Sequence, residues 1–117
     1  VYGMCRGAGT FLVLDEAFMD FCEEESAKGV IAGNGGGIVL RSMTKFYAIP
    51  GLRLGYAVAS AGIIERCGRA MEPWSVNTPA QIAGVAALAA AGYRERTIRY
   101  ITGSVISFAT ALRACGG

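Results

Sequence analysis

Three short apolar runs constrain the fold of this chain more than any other feature. They are Thr10 to Leu14 (TFLVL), Ile38 to Leu40 (IVL) and Leu54 to Ala59 (LGYAVA). None shows a helical period and each is too short for a helix, so each reads as a buried strand. Long segments separate them and helical patterns follow. The order strand, loop, strand, loop, strand, then helices points to an α/β fold with a sheet buried on both faces and flanked by helices.

The intervening segments fill in this frame. Ala17 to Lys28 carries Asp20, Glu23, Glu24 and Glu25 and reads as a solvated loop or short helix. Gly33 to Gly37 reads as a loop. It is no nucleotide fingerprint, because the strand follows the glycines instead of preceding them, and no Gly-Lys-Ser/Thr is present. Ile63 to Met71 is expected to be a helix that Pro73 ends. Thr78 is the expected N-cap of the next helix, with Pro79 at its first position and Ile82, Val85 and Leu88 as its apolar face. A longer helix is expected from Tyr93. Its stripe of Ile98, Ile101, Val105, Phe108 and Leu112 reads as core or domain packing.

Composition narrows the function. Apolar residues make up 53% of the chain and charged residues 17%, so much of the surface is expected to be covered by a larger parent protein or an oligomer. A net charge of +2 without a basic stripe argues against nucleic acid as a partner. No apolar run has the length of a membrane span, and Val1 to Thr10 lacks the core of a signal peptide. Four scattered cysteines and no histidine argue against a metal site and for reduced thiols in the cytoplasm. Val1 and Gly116-Gly117 are read as internal positions of a longer protein.

Chemistry concentrates in Ser42-Met43-Thr44-Lys45 and the residues up to Tyr56. Lys45 is one of two lysines and lies between apolar runs, where an ammonium is costly unless it has a purpose. A nucleophilic lysine must be neutral, which desolvation and a nearby cation such as Arg53 or Arg41 favour. Ser42 and Thr44 follow a strand, at the edge where α/β sheets bind ligands. Their hydroxyls and the Arg53 guanidinium suit a phosphate. Asp15 ends the first strand and is expected at the same edge. An amine, an anion site and a distant carboxylate are what pyridoxal phosphate needs from a protein. Ser42 to Lys45 also fits S-x-x-K, the acylation motif of penicillin-binding proteins and class A β-lactamases. That chemistry needs Ser-Asp-Asn and Lys-Thr-Gly partners, and the chain contains neither.

Taken together, Asp15-Glu16-Ala17-Phe18 and Ser42 to Tyr56 resemble the fold-type I, pyridoxal-phosphate-dependent aminotransferase superfamily. The Phe46-Tyr47-Ala48-Ile49-Pro50-Gly51-Leu52-Arg53 wording is similar to the threonine-phosphate decarboxylase branch of cobalamin biosynthesis, with histidinol-phosphate aminotransferases as near relatives. Pro73 to Asn77, followed by Ala80-Gln81, is similar to that branch as well. The resemblance implies the central part of a large cofactor-binding domain with a mostly parallel sheet, over residues 1–92. Residues 93–117 would be a long helix leading toward a C-terminal small domain. It implies that Lys45 forms the Schiff base with pyridoxal 5'-phosphate and that Asp15 pairs with the pyridine nitrogen. Ala17 would pack on the ring, and Ser42, Thr44 and Arg53 would hold the phosphate. Asn77 would lie near a small phosphorylated amino-acid substrate. Phe18 departs from the tyrosine that the aminotransferases often place there. The resemblance further implies a decarboxylase as the complete protein, with a histidinol-phosphate-type aminotransferase or a non-catalytic fragment as the alternatives, and a homodimer with little activity in the isolated 117 residues.

Overall fold

A computed structural model describes residues 1–116. It forms α/β structure around a three-stranded sheet. The strands are β1 (Leu12–Asp15), β2 (Gly37–Ser42) and β3 (Gly55–Ala59), in the order β1-β2-β3. β1 and β2 are parallel, with Leu12 opposite Gly37 and Asp15 opposite Leu40. β3 runs antiparallel to β2, with Ile38 opposite Ala59 and Ser42 opposite Gly55. All three expected strands form within two residues of their expected limits. Of the two strand pairs in view, one is parallel and one antiparallel.

The helices are α1 (Tyr2–Gly7), α2 (Lys28–Asn34), α3 (Met43–Phe46), α4 (Ala61–Ala70), α5 (Thr78–Ala89) and α6 (Tyr93–Ala114). α1 and α2 were not expected. α2 takes Gly33 and Asn34 into its last turn, and the expected loop shrinks to Gly35 and Gly36 at φ +68° and +76°. The chain divides into two compact units, Val1–Val85 and the part from Ala86 onward, with the division inside α5.

In the first unit the pleat sorts β2 into two faces. Gly37, Val39 and Arg41 are buried on one face, under α2. A Cβ on Gly37 would stand 3.4 Å from Ile31 Cδ1 of α2, and both Ile31 and Val39 are fully buried. The opposite face carries Val13 and Leu40, 57% and 42% exposed. Burial on both faces was expected, and here only one face is covered, because the helix that follows β1 crosses on a single side.

Two helix expectations need correction. α5 is capped by Asn77 and not by Thr78: Asn77 Oδ1 accepts from Ala80 N–H at 2.9 Å. The side chain three residues before that N–H reaches it, which moves the cap one residue earlier. Ile82 and Val85 do not face the core either, at 67% and 71% exposure. α5 packs instead through Ala80 and Gly84, its buried small residues. A Cβ on Gly84 would come 2.7 Å from Leu54 Cδ2 and 3.7 Å from Met43 Sδ, so the glycine lets the helix approach without displacing the Leu54 side chain. The second unit contains α6, which begins after Gly92 in a left-handed conformation. Its stripe forms, but Ile101, Val105, Phe108 and Leu112 are exposed, so the described residues do not bury it.

Candidate active site

The site is built where β1 and β2 end. Asp15 is the last residue of β1 and Ser42 the last of β2, and these strands are parallel, so both residues leave the sheet at one edge. By register and alternation they also share a face, the one bearing Leu40. Asp15 Oδ1 accepts from Ala17 N–H at 3.0 Å, which turns the chain sharply after the strand. A concavity of about 370 Å³ opens here, lined by Asp15, Glu16, Ala17, Phe18, Met19 and Cys22.

Lys45 sits in α3, directly after β2. Ser42 caps this turn, with its Oγ accepting from Thr44 N–H at 3.3 Å. Ser42 Oγ and Thr44 Oγ1 are 2.7 Å apart, so the two hydroxyls expected to act together are together. Met43, Thr44 and Phe46 are buried while Lys45 alone in the turn is exposed. Met43 N–H donates to Leu54 O at 3.1 Å, closing the lysine segment into a loop tied at its base. The Lys45 ammonium stands 5.4 Å from the centroid of the Phe18 ring, a cation–π distance. The amine and the segment after Asp15 therefore meet. The desolvation expected from the apolar flanks is not supplied by this chain, because those flanks turn inward and leave the lysine outward.

Arg53 closes the other end of the loop. It is left-handed at φ +54°, as is Ala48 at φ +53°, and the two flank the turn Pro50–Leu52. Such backbone costs about 1–2 kcal/mol per residue in an L-amino acid. The exposed guanidinium donates to Pro50 O at 3.3 Å and retains donors for an anion. Asn77 also contacts this loop, with Nδ2 at 3.5 Å from Leu52 O, while its Oδ1 caps α5.

Arg41 does not serve as the second cation beside Lys45. Its side chain is 1% exposed and lies on the opposite face of β2. Nη1 bonds Glu16 Oε2 at 3.1 Å and Ser26 Oγ at 3.2 Å; Nη2 bonds Asp20 Oδ1 at 3.1 Å and also Glu23. Its Nε is buried without a hydrogen-bond partner among the described residues. Glu16 in turn accepts from Ser26 Oγ at 2.7 Å and Ala27 N–H at 2.9 Å. Glu23 also pairs with Lys28. Burial pushes the Glu16 carboxyl up, but bonds from Ser26, Ala27 and Arg41 outweigh it and hold its pKa below the usual glutamate value. Glu23 follows the same balance: burial raises it, and Lys28 and Arg41 bring it below the usual value. Burial disfavours the Arg41 charge, and Glu23 and Asp20 more than offset that, so its pKa is raised.

Of the two expectations for the acidic segment, loop or short helix, the short helical form is found, with Glu24 and Glu25 exposed and Asp20 and Glu23 turned to Arg41. The segment folds into two 3₁₀ turns, Met19–Phe21 and Glu23–Glu25, wrapped around a buried arginine. One signal for this was present in the sequence. Arg41 alternates with Gly37 and Val39, which places it on the core-facing side of its strand, where a charge requires partners.

Known proteins are similar to this chain in sequence and fold. A family model described as aminotransferase class I and II matches residues 1–116. The chain is 42% identical over 110 residues to a threonine-phosphate decarboxylase of Salmonella typhimurium, covering 92% of this chain and 30% of that protein. It is 46% identical over 81 residues to a histidinol-phosphate aminotransferase of Moorella thermoacetica, covering 66% of this chain and 21% of that protein. Among solved structures, the histidinol-phosphate aminotransferase of Sinorhizobium meliloti, in complex with pyridoxal-5'-phosphate, is similar at a TM-score of 0.73 and 25% identity. That match covers 81% of this chain and 26% of the other. The chain thus spans less than a third of each of these proteins. With the family model matching residues 1–116 and the relatives above, the chain belongs to the class I and II aminotransferase family of fold-type I, pyridoxal-phosphate-dependent enzymes.

Proposed function

We propose that this chain is the cofactor-holding centre of a pyridoxal-phosphate-dependent enzyme that decarboxylates L-threonine O-3-phosphate to aminopropanol phosphate. The observation that carries the cofactor assignment is the Lys45 amine over Phe18, in the segment that Asp15 begins. The residues present fit the group. Lys45 Nζ is accessible for covalent attachment, Asp15 is exposed beside a concavity, and the Ser42 and Thr44 hydroxyls are paired at the same edge.

Bound pyridoxal phosphate supplies an electron sink for the bond that breaks next to the substrate amine. The chain's own residues do the rest. Asp15 accepts the pyridinium N–H and keeps that nitrogen protonated. Ser42 and Thr44 donate to the phosphate, and Arg53 adds a charge-assisted contact. Ala17 packs against the ring face. Lys45 Nζ holds the cofactor at rest and moves a proton to and from the substrate carbon. Asn77, which precedes α5 and reaches Leu52 O of the lysine loop, would stand toward the substrate.

Decarboxylation is supported by the match to the Salmonella enzyme and by the Phe46 to Arg53 wording. Transamination of a substrate like histidinol phosphate is the second reading, supported by the Moorella relative at 46% identity. Residues 1–92 would belong to the large domain and residues 93–117 would lead to a small domain. The complete protein would be a cytoplasmic homodimer; among the described residues no helix is long and apolar enough to cross a membrane. The complete protein, given threonine phosphate, is expected to release carbon dioxide without consuming 2-oxoglutarate. Glutamate formation from 2-oxoglutarate and histidinol phosphate, without carbon dioxide release, would instead establish the aminotransferase.

A further inference from the structure

Arg41 and its partners lie outside the set of groups that touch the cofactor in the reading above, yet they sit one residue from two of them. Glu16 follows Asp15, and Arg41 precedes Ser42. The β1–β2 register pairs Asp15 with Leu40, and Glu16 N–H continues the ladder by donating to Leu40 O at 2.8 Å. The pleat therefore turns Asp15 and Ser42 to one face and the Glu16–Arg41 pair to the other. Arg41 also reaches Asp20. One guanidinium thus grips both ends of the stretch Glu16 to Asp20, with Ala17, Phe18 and Met19 suspended between.

Stability alone gives a weak reason to bury such a cluster. A buried ion pair often does no better than apolar residues of the same volume, because desolvation consumes the Coulombic gain. The cluster instead fixes geometry. Without Arg41 the stretch keeps the Asp15–Ala17 turn, backbone bonds from Met19 N–H to Glu16 O and from Phe21 N–H to Phe18 O, the Glu16 bonds to Ser26 and Ala27, and the Phe18 ring contacts. What Arg41 adds is the tie from the Glu16 end to the Asp20 side chain.

We propose that Arg41 is a positioning residue, stapling Glu16 and Asp20 so that Ala17 and Phe18 present a fixed surface to the cofactor ring and to Lys45. This rests on the reading of Lys45 as the cofactor lysine. Arg41 touches neither cofactor nor substrate; it acts through the stretch that it holds.

The test uses the complete protein and three variants: Arg41→Lys, Asp20→Asn and Lys28→Met. Arg41→Lys keeps the charge but not the two-ended grip. Asp20→Asn loosens one end only and decides the matter where Arg41→Lys does not fold. Lys28→Met removes a rim charge that touches Glu23 and serves as the control. Three quantities are measured: the pyridoxal phosphate Kd by absorbance titration, the pH midpoint of the bound cofactor's absorbance, and the unfolding midpoint of the apoprotein. Arg41→Lys and Asp20→Asn are expected to raise Kd by about 10- to 100-fold, the range seen when groups that hold a ligand's direct partners are lost in metal sites. They are also expected to displace the absorbance midpoint, whereas Lys28→Met leaves both near wild type. Folded Asp20→Asn protein with wild-type Kd and absorbance overturns the positioning role while leaving the cofactor reading intact. Wild-type protein that takes up no pyridoxal phosphate at Lys45 overturns both.

Discussion

Gly55 offers a test of how tightly the two strands that frame the site are packed. It lies opposite Ser42, and a Cβ added there would stand 2.7 Å from Arg41 O. Real Cβ atoms essentially never approach closer than 3.0 Å, so Gly55→Ala requires β2 and β3 to separate by at least the difference, 0.3 Å. The neighbour is backbone, which cannot swing aside. Forced overpacking costs about 1–3 kcal/mol. The reduced freedom of the unfolded chain returns about 0.4–1 kcal/mol. The midpoints of those two ranges give a net expected loss of about 1.3 kcal/mol. Gly62 is the matched control. It lies inside α4, a Cβ there meets nothing within 4 Å, and its φ is not positive. Gly62→Ala should gain about 0.5–1 kcal/mol from helix propensity. Urea unfolding of the complete protein, followed by far-UV circular dichroism, reads both. The two substitutions should shift the midpoint in opposite directions, and Gly55→Ala should also weaken pyridoxal phosphate binding, since Ser42 shares the disturbed edge. A Gly55→Ala protein as stable as wild type would refute the packing argument.

The remaining predictions concern acid and the α5 cap. Glu16 and Glu23 bind protons more weakly when folded than when unfolded. Their stabilisation is therefore full above the unfolded carboxyl pKa of about 4.3 and is lost as pH falls through the lower folded values. Melting temperatures taken from pH 6 down to pH 3 should fall most steeply below about pH 4.3, and Glu16→Gln should flatten that limb; an unchanged slope in the variant would contradict the assignment. Asn77→Ala should cost about 1 kcal/mol of stability through the lost cap, while Thr78→Ala should stay within about 0.5 kcal/mol. Equal effects in urea unfolding would return the cap to Thr78.

How much of this was legible in the sequence follows from which interactions are local. The strands could be read because β1, β2 and β3 are runs of apolar residues bounded by polar or glycine punctuation. Lys45, Ser42, Thr44 and Asp15 could be placed at one sheet edge because each follows directly from where a strand ends. α1 and α2 were missed because Tyr2–Gly7 and Lys28–Asn34 are short and contain two glycines each, so they lack a clear apolar period. They are held by tertiary contact, such as Tyr2 OH to Gly35 O and Ile31 against β2. The face of α5 was misjudged because periodicity weighs large apolar residues, whereas packing here selected Ala80 and Gly84 for close approach. The arginine cluster was missed because its members are far apart in sequence: Arg41 meets Glu16, Asp20 and Glu23 only once β1 and β2 are paired. The exposed stripe of α6 was read correctly as a stripe, but a sequence pattern does not say which surface buries it.

The central claim is that Lys45 carries the cofactor, and it can be tested on one residue. The complete protein is incubated with pyridoxal phosphate, reduced with borohydride, digested and analysed by mass spectrometry. The chain contains two lysines, Lys28 and Lys45. Lys28 is paired with Glu23 away from the site, and Lys45 stands over Phe18. A pyridoxyl label on Lys45, absent from Lys28, is the result expected; a label on Lys28 alone, or no label on Lys45, would contradict the account.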